Sequence, residues 1–169
     1  KKIRSSKNII KLSAIENRQL IKKLNRNTII NHEFLKKKNG VIIVARNRSE
    51  RLNKKSFLKI HNVEMIKIVI ERAKKIKNID HVILATSTDK IDDSFKKIAK
   101  DTGIDFFRGH SDNVANRFYK CAKKYKLDNI VRITGDSILV DYEMINMALK
   151  EHLKNNNDVT FSKNMPFGT

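Results

Sequence analysis

From Gly40 onward the chain alternates short apolar runs with longer stretches in which apolar residues recur every three or four positions. A β-branched run such as Val41–Ala45 reads as a strand buried on both faces, whereas the spacing of Ile66, Val69, Ile70, Ala73 and Ile76 predicts a helix over Val63–Lys77. The same pattern predicts strands at His81–Ala85, Asp105–Phe107, Asn129–Ile133 and Asp158–Ser162. It predicts helices at Ile91–Asp101, Asp112–Tyr125 and Tyr142–Lys154, with Gly103 placed to end the first of these. Strand and helix alternate at spacings that fit right-handed crossovers. The expected fold is therefore α/β, a three-layer arrangement of a mostly parallel sheet with helices on both faces.

Residues 1–40 follow a different pattern. Leu12, Ile15, Leu20, Ile21 and Leu24 have roughly helical spacing among lysines and asparagines, and Ser13 with Glu16 forms a candidate capping box. Lys36 to Lys38 and Asn39-Gly40 read as a linker and turn into the first strand. The segment is either a basic arm or the end of a preceding domain, with residues 41–169 as the α/β domain.

The net charge of +19 would suggest nucleic acid, but its distribution does not. Residues 1–40 carry +10 of it, and lysine supplies 27 of the 37 cations, scattered beyond the arm. Long-range attraction for anions follows; specific nucleic-acid reading does not. No apolar run approaches a membrane span, and one cysteine, Cys121, forms no internal disulfide framework, so the expected location is the cytoplasm. The five histidines lack metal-ligand spacing, and neither GxGxxG nor GxxxxGK[ST] is present.

In an open parallel sheet, ligands bind beyond the carboxyl ends of the strands. After the first strand come Arg46, Arg48, Arg51, Lys54 and Lys55, cations suited to phosphate or simply a solvated basic loop. After the second come Thr86-Ser87-Thr88-Asp89, which could meet a ribose or cap the next helix. After the third, Arg108-Gly109-His110-Ser111-Asp112 leads into a helix that Ser111 or Asp112 could cap. After the fourth, Thr134-Gly135-Asp136-Ser137 offers a carboxylate beside a glycine, with Asp141 beyond it; this is a seat for Mg²⁺ or an ordinary turn aspartate. Arg117 and Arg132 are alternatively members of structural ion pairs.

In order, the blocks VIIVARNRSERLNKK, HVILATST, FFRGHSDNVANRFYKCAKKY, IVRITGDSILVD and NDVTFSKNMPFGT resemble the cytidylyltransferases related to spore-coat polysaccharide biosynthesis protein F, kin of the CMP-sialic acid and CMP-KDO synthetases. The resemblance spans residues 41–169. It implies a Rossmann-like nucleotidyltransferase domain of the GT-A type. It also implies that Arg46, Ser49, Arg51 and Lys55 hold nucleotide phosphates, Arg46, Arg51 and Lys55 being the catalytic cations. Thr86 and Ser87 would then lie near the nucleoside, and Arg108, Asp112 and Arg117 would complete the nucleotide site. Asp136 and Asp141 would bind the metal, Mg²⁺.

The sequence also departs from the family pattern. Arg48 stands where the family has glycine, Asn53-Lys54 where it has Pro-Gly, and Ser137-Ile138 where it has Cys-Pro; Asn113 and Asn116 replace acids. The family normally continues beyond the equivalent of Thr169. The activity implied is attack of a sugar acid or sugar phosphate on CTP, giving a CMP-sugar and pyrophosphate for surface polysaccharide or glycoconjugate synthesis. The partners implied are CTP and an anionic sugar, with a homodimer as the family's common assembly. Two other readings remain open: a catalytically degenerate nucleotide- or polyanion-binding module, and a nucleotide-sugar glycosyltransferase of similar fold. The second normally carries an Asp-x-Asp motif, which Asp136-Ser137-Ile138 lacks.

Overall fold

A computed structural model describes residues 37–48 and 55–161. Residues 1–36 of the basic arm, the residues Ser49, Arg51, Asn53 and Lys54 of the phosphate loop, and Ser162 onward lie outside the described residues. The main sheet is built from β1 (Asn39–Val44), β4 (His81–Ser87), β5 (Asp105–Gly109) and β6 (Asn129–Thr134), in the order β5-β4-β1-β6. All its pairs are parallel: Val44 lies opposite both Ala85 and Thr134, and Ser87 opposite Gly109. The strand ends are thereby aligned, and the loops after all four strands meet along one edge.

Among the described residues four helices cover the sheet: α1 (Met65–Ala73), α2 (Ser94–Thr102), α3 (Val114–Tyr125) and α4 (Tyr142–Asn155). Val41 and Ile43 of β1 point to one face, where Ile66, Val69 and Ile70 of α1 and Phe95 and Ile98 of α2 are buried with them, and Tyr142 and Ile145 of α4 pack alongside. Ile42 points to the other face and meets Ile83, Ala85 and Cys121, with Phe118 and Tyr125 of α3 closing over them. A strand covered on both faces needs an unbroken apolar run, which is why Val41–Val44 does not alternate with polar residues. The three-layer α/β class is as the sequence pattern predicts.

The structure corrects several element boundaries. Asn39 and Gly40 are not a turn but the first residues of β1. The Asn39 N–H donates to Asp80 Oδ2 at 2.8 Å, and Asn129 Nδ2 donates to Asn39 Oδ1 at 2.7 Å, so side chains extend the ladder downward. The predicted helix from Val63 begins only at Met65, because Val63–Glu64 (β3) pairs antiparallel with Lys59–Ile60 (β2). His61 and Asn62 form the two-residue turn, both at positive φ (47° and 65°), the conformation a tight hairpin requires. The second predicted helix opens with a separate 3₁₀ turn, Lys90–Asp92, before α2, and ends as expected with Gly103 at φ 65°.

The predicted strand at Asp158–Ser162 is absent over residues 158–161. Val159 and Phe161 are exposed and pair with no strand among the described residues, while Thr160 Oγ1 is bonded to His152 Nδ1 at 3.0 Å. Among the described residues no helix is long and apolar enough to cross a membrane.

Candidate active site

The strand order places β1 between β4 and β6, so the direction in which successive strands join the sheet reverses beside β1. That is the switch point at which open α/β sheets bind ligands. Gly135 brings the β6 loop against β1 there. Its N–H donates to the Val44 carbonyl at 2.8 Å, and a Cβ at this position would lie 2.8 Å from Ala45 Cβ and 3.0 Å from Ile66 Cδ1. Only glycine allows this approach, and it delivers Asp136 to the end of β1.

Asp136 then meets the basic loop. Lys55 Nζ lies 2.8 Å from Asp136 Oδ2, a pair whose side chains are 45% and 37% exposed and therefore reachable by a ligand. The Lys55 ammonium holds the Asp136 carboxyl below the usual carboxylate range against the opposing effect of partial burial, and the Thr134 hydroxyl lowers it further. In the loop after β1, Arg46 and Arg48 are exposed, with Asn47 between them turned inward and 1% exposed.

The β4 and β5 loops use their polar groups differently. Thr86 and Ser87 are buried, and both hydroxyls donate to Asp92 Oδ2, at 3.0 and 2.5 Å. Their side chains are scaffold here, rather than groups turned toward a nucleoside. Arg108 spreads its guanidinium over the loop after β4, donating to the carbonyls of Ser87 at 3.0 Å and Asp89 at 2.8 Å and pairing with the Asp93 carboxylate at 2.5 Å. Arg117 is 1% exposed and, among the described residues, forms no structural ion pair of the kind open in the sequence. It donates instead to the carbonyls of His110, from Nε at 3.0 Å and Nη2 at 2.7 Å, and of Ser111, from Nη2 at 2.7 Å. Burial pulls its basicity down, Asp92 opposes that, and the neighbouring Arg46 adds to it. Gly109 makes room for this arginine: a Cβ there would stand 2.9 Å from Arg117 Cγ.

Asp112 is exposed, and its N–H donates to His110 Nδ1 at 3.1 Å. The cap of α3 is neither Ser111 nor Asp112 but Asn113, whose Oδ1 accepts the Asn116 N–H at 2.8 Å. Asp141 caps α4, its Oδ1 accepting the N–H groups of Glu143 at 2.8 Å and Met144 at 3.2 Å. Both bonds fall on Oδ1. Asp136 fits a Mg²⁺ seat of the sparse kind, one protein carboxylate completed by substrate phosphates. Among the described residues no group of three or more His, Cys, Asp or Glu side chains could hold a metal ion by itself.

The residue that the sequence reading missed is Asp92, 1% exposed, whose two oxygens accept bonds from the ends of both β1 and β4. Its signal was a carboxylate five residues after a Ser/Thr strand end, hidden in what read as an ordinary acidic helix start.

The cytidylyltransferase family model matches residues 40–168. The chain belongs to the cytidylyltransferase family. The cytidylyltransferase segment is 30% identical over 131 residues to the spore coat polysaccharide biosynthesis protein SpsF of Bacillus subtilis, covering 75% of this chain and 55% of that protein. It is 36% identical over 120 residues to 3-deoxy-manno-octulosonate cytidylyltransferase of Fusobacterium nucleatum, covering 70% and 47%. Its fold matches the structure of a cytidylyltransferase from Leptospira borgpetersenii with a TM-score of 0.69 at 34% identity, covering 72% and 51%. The chain spans about half the length of the curated relatives it matches. The Rossmann-like nucleotidyltransferase fold expected from the sequence is the one observed.

Proposed function

We propose that the protein transfers a cytidylyl group from CTP to an acidic sugar, releasing pyrophosphate and forming a CMP-sugar for surface polysaccharide or glycoconjugate synthesis. The observation that carries this reading is the half-exposed Lys55–Asp136 pair at the switch point, with Arg46 and Arg48 exposed in the loop after β1. A carboxylate among cations suits a phosphate-bound divalent metal better than a bare polyanion, which it would repel. The family relatives named for 3-deoxy-manno-octulosonate and for spore-coat polysaccharide support the class of acceptor.

A sugar hydroxyl oxygen attacks the α-phosphorus of CTP, a new P–O bond forms, and the bond to the β-phosphate bridging oxygen breaks. Such chemistry needs alignment and charge neutralisation more than covalent participation by the protein. Arg46 and Lys55 take up triphosphate charge, together with Ser49 and Arg51 from the loop's remainder. Asp136 holds Mg²⁺, which when bound supplies further neutralisation of phosphate charge. A need for CTP supports a cytoplasmic location.

A thermal-shift panel tests this reading, with CTP, UTP, ATP, GTP and a short oligonucleotide, each with and without Mg²⁺. A ligand at about a hundredfold excess over its dissociation constant stabilises the folded state by roughly 2.7 kcal/mol. The expected result is a Mg²⁺-dependent shift with CTP, followed by pyrophosphate release when acidic sugars are added. A salt-sensitive response to the oligonucleotide alone would replace the transferase with a polyanion-binding module.

A further inference from the structure

Asp92 belongs to none of the groups that would touch a nucleotide, yet it is the point at which the site's loops are tied together. Asp92 Oδ1 accepts the backbone N–H of Asn47 at 2.7 Å. Its Oδ2 accepts from Thr86 Oγ1, from Ser87 Oγ and from the Ser87 N–H, the last at 3.3 Å. The Asn47 side chain adds to the anchor, Nδ2 donating to the Ile91 carbonyl and to Ser94 Oγ at 3.1 Å. Asn47 Oδ1 is buried with no hydrogen-bond partner, so the inward turn is kept although it strands an acceptor.

The consequence falls on the neighbours of Asn47. The last sheet bond of this segment runs from the Ala45 N–H to the Ala85 carbonyl, at 3.2 Å. Past that point the loop leaves the ladder, and the Asn47–Asp92 bond is what fixes its course. With Asn47 pinned inward, Arg46 and Arg48 on either side face outward. The carboxylate also lies close enough to the buried Arg117 to offset its charge, and Arg117 holds the loop after β5 through the His110 and Ser111 carbonyls. The tie continues from the β4 loop to the β5 loop, where Ser111 Oγ donates to Asp89 Oδ1 at 2.7 Å.

We propose that Asp92 is a positioning residue: by fastening the Asn47 N–H to the end of β4, it presents Arg46 and Arg48 to the triphosphate. This rests on the nucleotidyl-transfer reading above. It assigns Arg48, which stands in the family's glycine position, to phosphate binding through its side chain. Asp92 acts only through the loop, so its loss matters only while the two arginines are there to be presented.

The test is a double-mutant cycle on the full chain, read by calorimetric titration with CTP and with inorganic tripolyphosphate, in Mg²⁺ and well below each variant's melting temperature. Asp92→Asn keeps one oxygen to accept the Asn47 N–H, whereas Asp92→Ala keeps none. Affinity for both ligands is expected to fall in the order wild type, Asp92→Asn, Asp92→Ala, with the alanine variant weaker by about tenfold, within the range for groups sharing one hydrogen-bond network. In an Arg46→Ala/Arg48→Ala background, Asp92→Ala should cost nothing further. An equal loss in both backgrounds, or unchanged affinity with only a lowered melting temperature, overturns the proposal.

Should Asp92→Ala fail to fold, Asp92→Asn carries the cycle, and amide exchange reads the tie directly. Asn47 should exchange faster in that variant while Val41–Ile43 stay protected; unchanged Asn47 protection together with unchanged affinity overturns it. Wild-type protein that binds neither CTP nor tripolyphosphate would instead sink the nucleotidyl-transfer reading.

Discussion

On the β4/β5 side of the sheet edge, Asp92, Arg108 and Arg117 commit their charged groups to backbone and to buried hydroxyls. On the β1/β6 side, Arg46 and Arg48 are exposed, and Lys55 and Asp136 meet in a pair still open to solvent. Both regions carry arginine and aspartate side chains at or beyond strand ends. Burial separates Asp92 and Arg117, each 1% exposed, from the open side, whereas Arg108, 33% exposed, is held by three fixed partners. A charged group taken out of water must be saturated by fixed partners, and once saturated it has little left for a ligand. A half-exposed pair costs little to rearrange and can exchange its partner for a phosphate or a metal.

The sharpest way to break this comparison is Asp136→Asn. Turnover in Mg²⁺ should fall by at least about a hundredfold, the scale of losing a group that stabilises developing charge, while the urea midpoint barely moves. Normal turnover would mean that the open side is not the reacting side. The buried side should give the opposite signature. Arg117→Ala strands the His110 and Ser111 carbonyls and opens a void, so we expect about 3 kcal/mol of lost stability by urea unfolding.

Gly135→Ala probes the contact that sets the two strand ends together. Its Cβ would crowd Ala45, costing about 1–3 kcal/mol, and Ala45→Gly in the same chain should recover part of the loss.

The smallest effect is in pH. Lys55 lowers the Asp136 carboxyl in the folded state relative to the unfolded chain, so its contribution is complete above the ordinary carboxylate range near 3.8 and is lost as pH falls through the lower folded value. Because the pair is exposed and screened, the wild-type urea midpoint should lose only slightly more than that of Lys55→Met across that acid interval. A large difference would show that the pair is structural, as the buried side is.

Some of this was legible along the chain. Cys121, set mid-helix among apolar residues, is core as its neighbours suggest, and burial pushes its thiol up to about 12. Asp136 reads as a strand-end carboxylate and is found as one. Thr86 and Ser87 were just as plausible, yet they face inward because the 3₁₀ turn at Lys90–Asp92 returns a carboxylate beneath them. The local trace of that return, a carboxylate five residues past the strand end, reads equally well as an acidic helix start. The hairpin turn at His61-Asn62 was hidden too, because the apolar spacing of Val63 continues smoothly into the helix that follows.

The sequence by itself determined the alternation of strands and helices, the two-sided burial of β1 and the order of the edge loops. Those follow from periodicity, which is local and survives without knowledge of neighbours. Only the tertiary structure decided which charged side chains were spent and which remained open. That depends on what each meets after some 20 to 80 intervening residues, as with Arg108 and Ser87 or Lys55 and Asp136, and on whether water can still reach them.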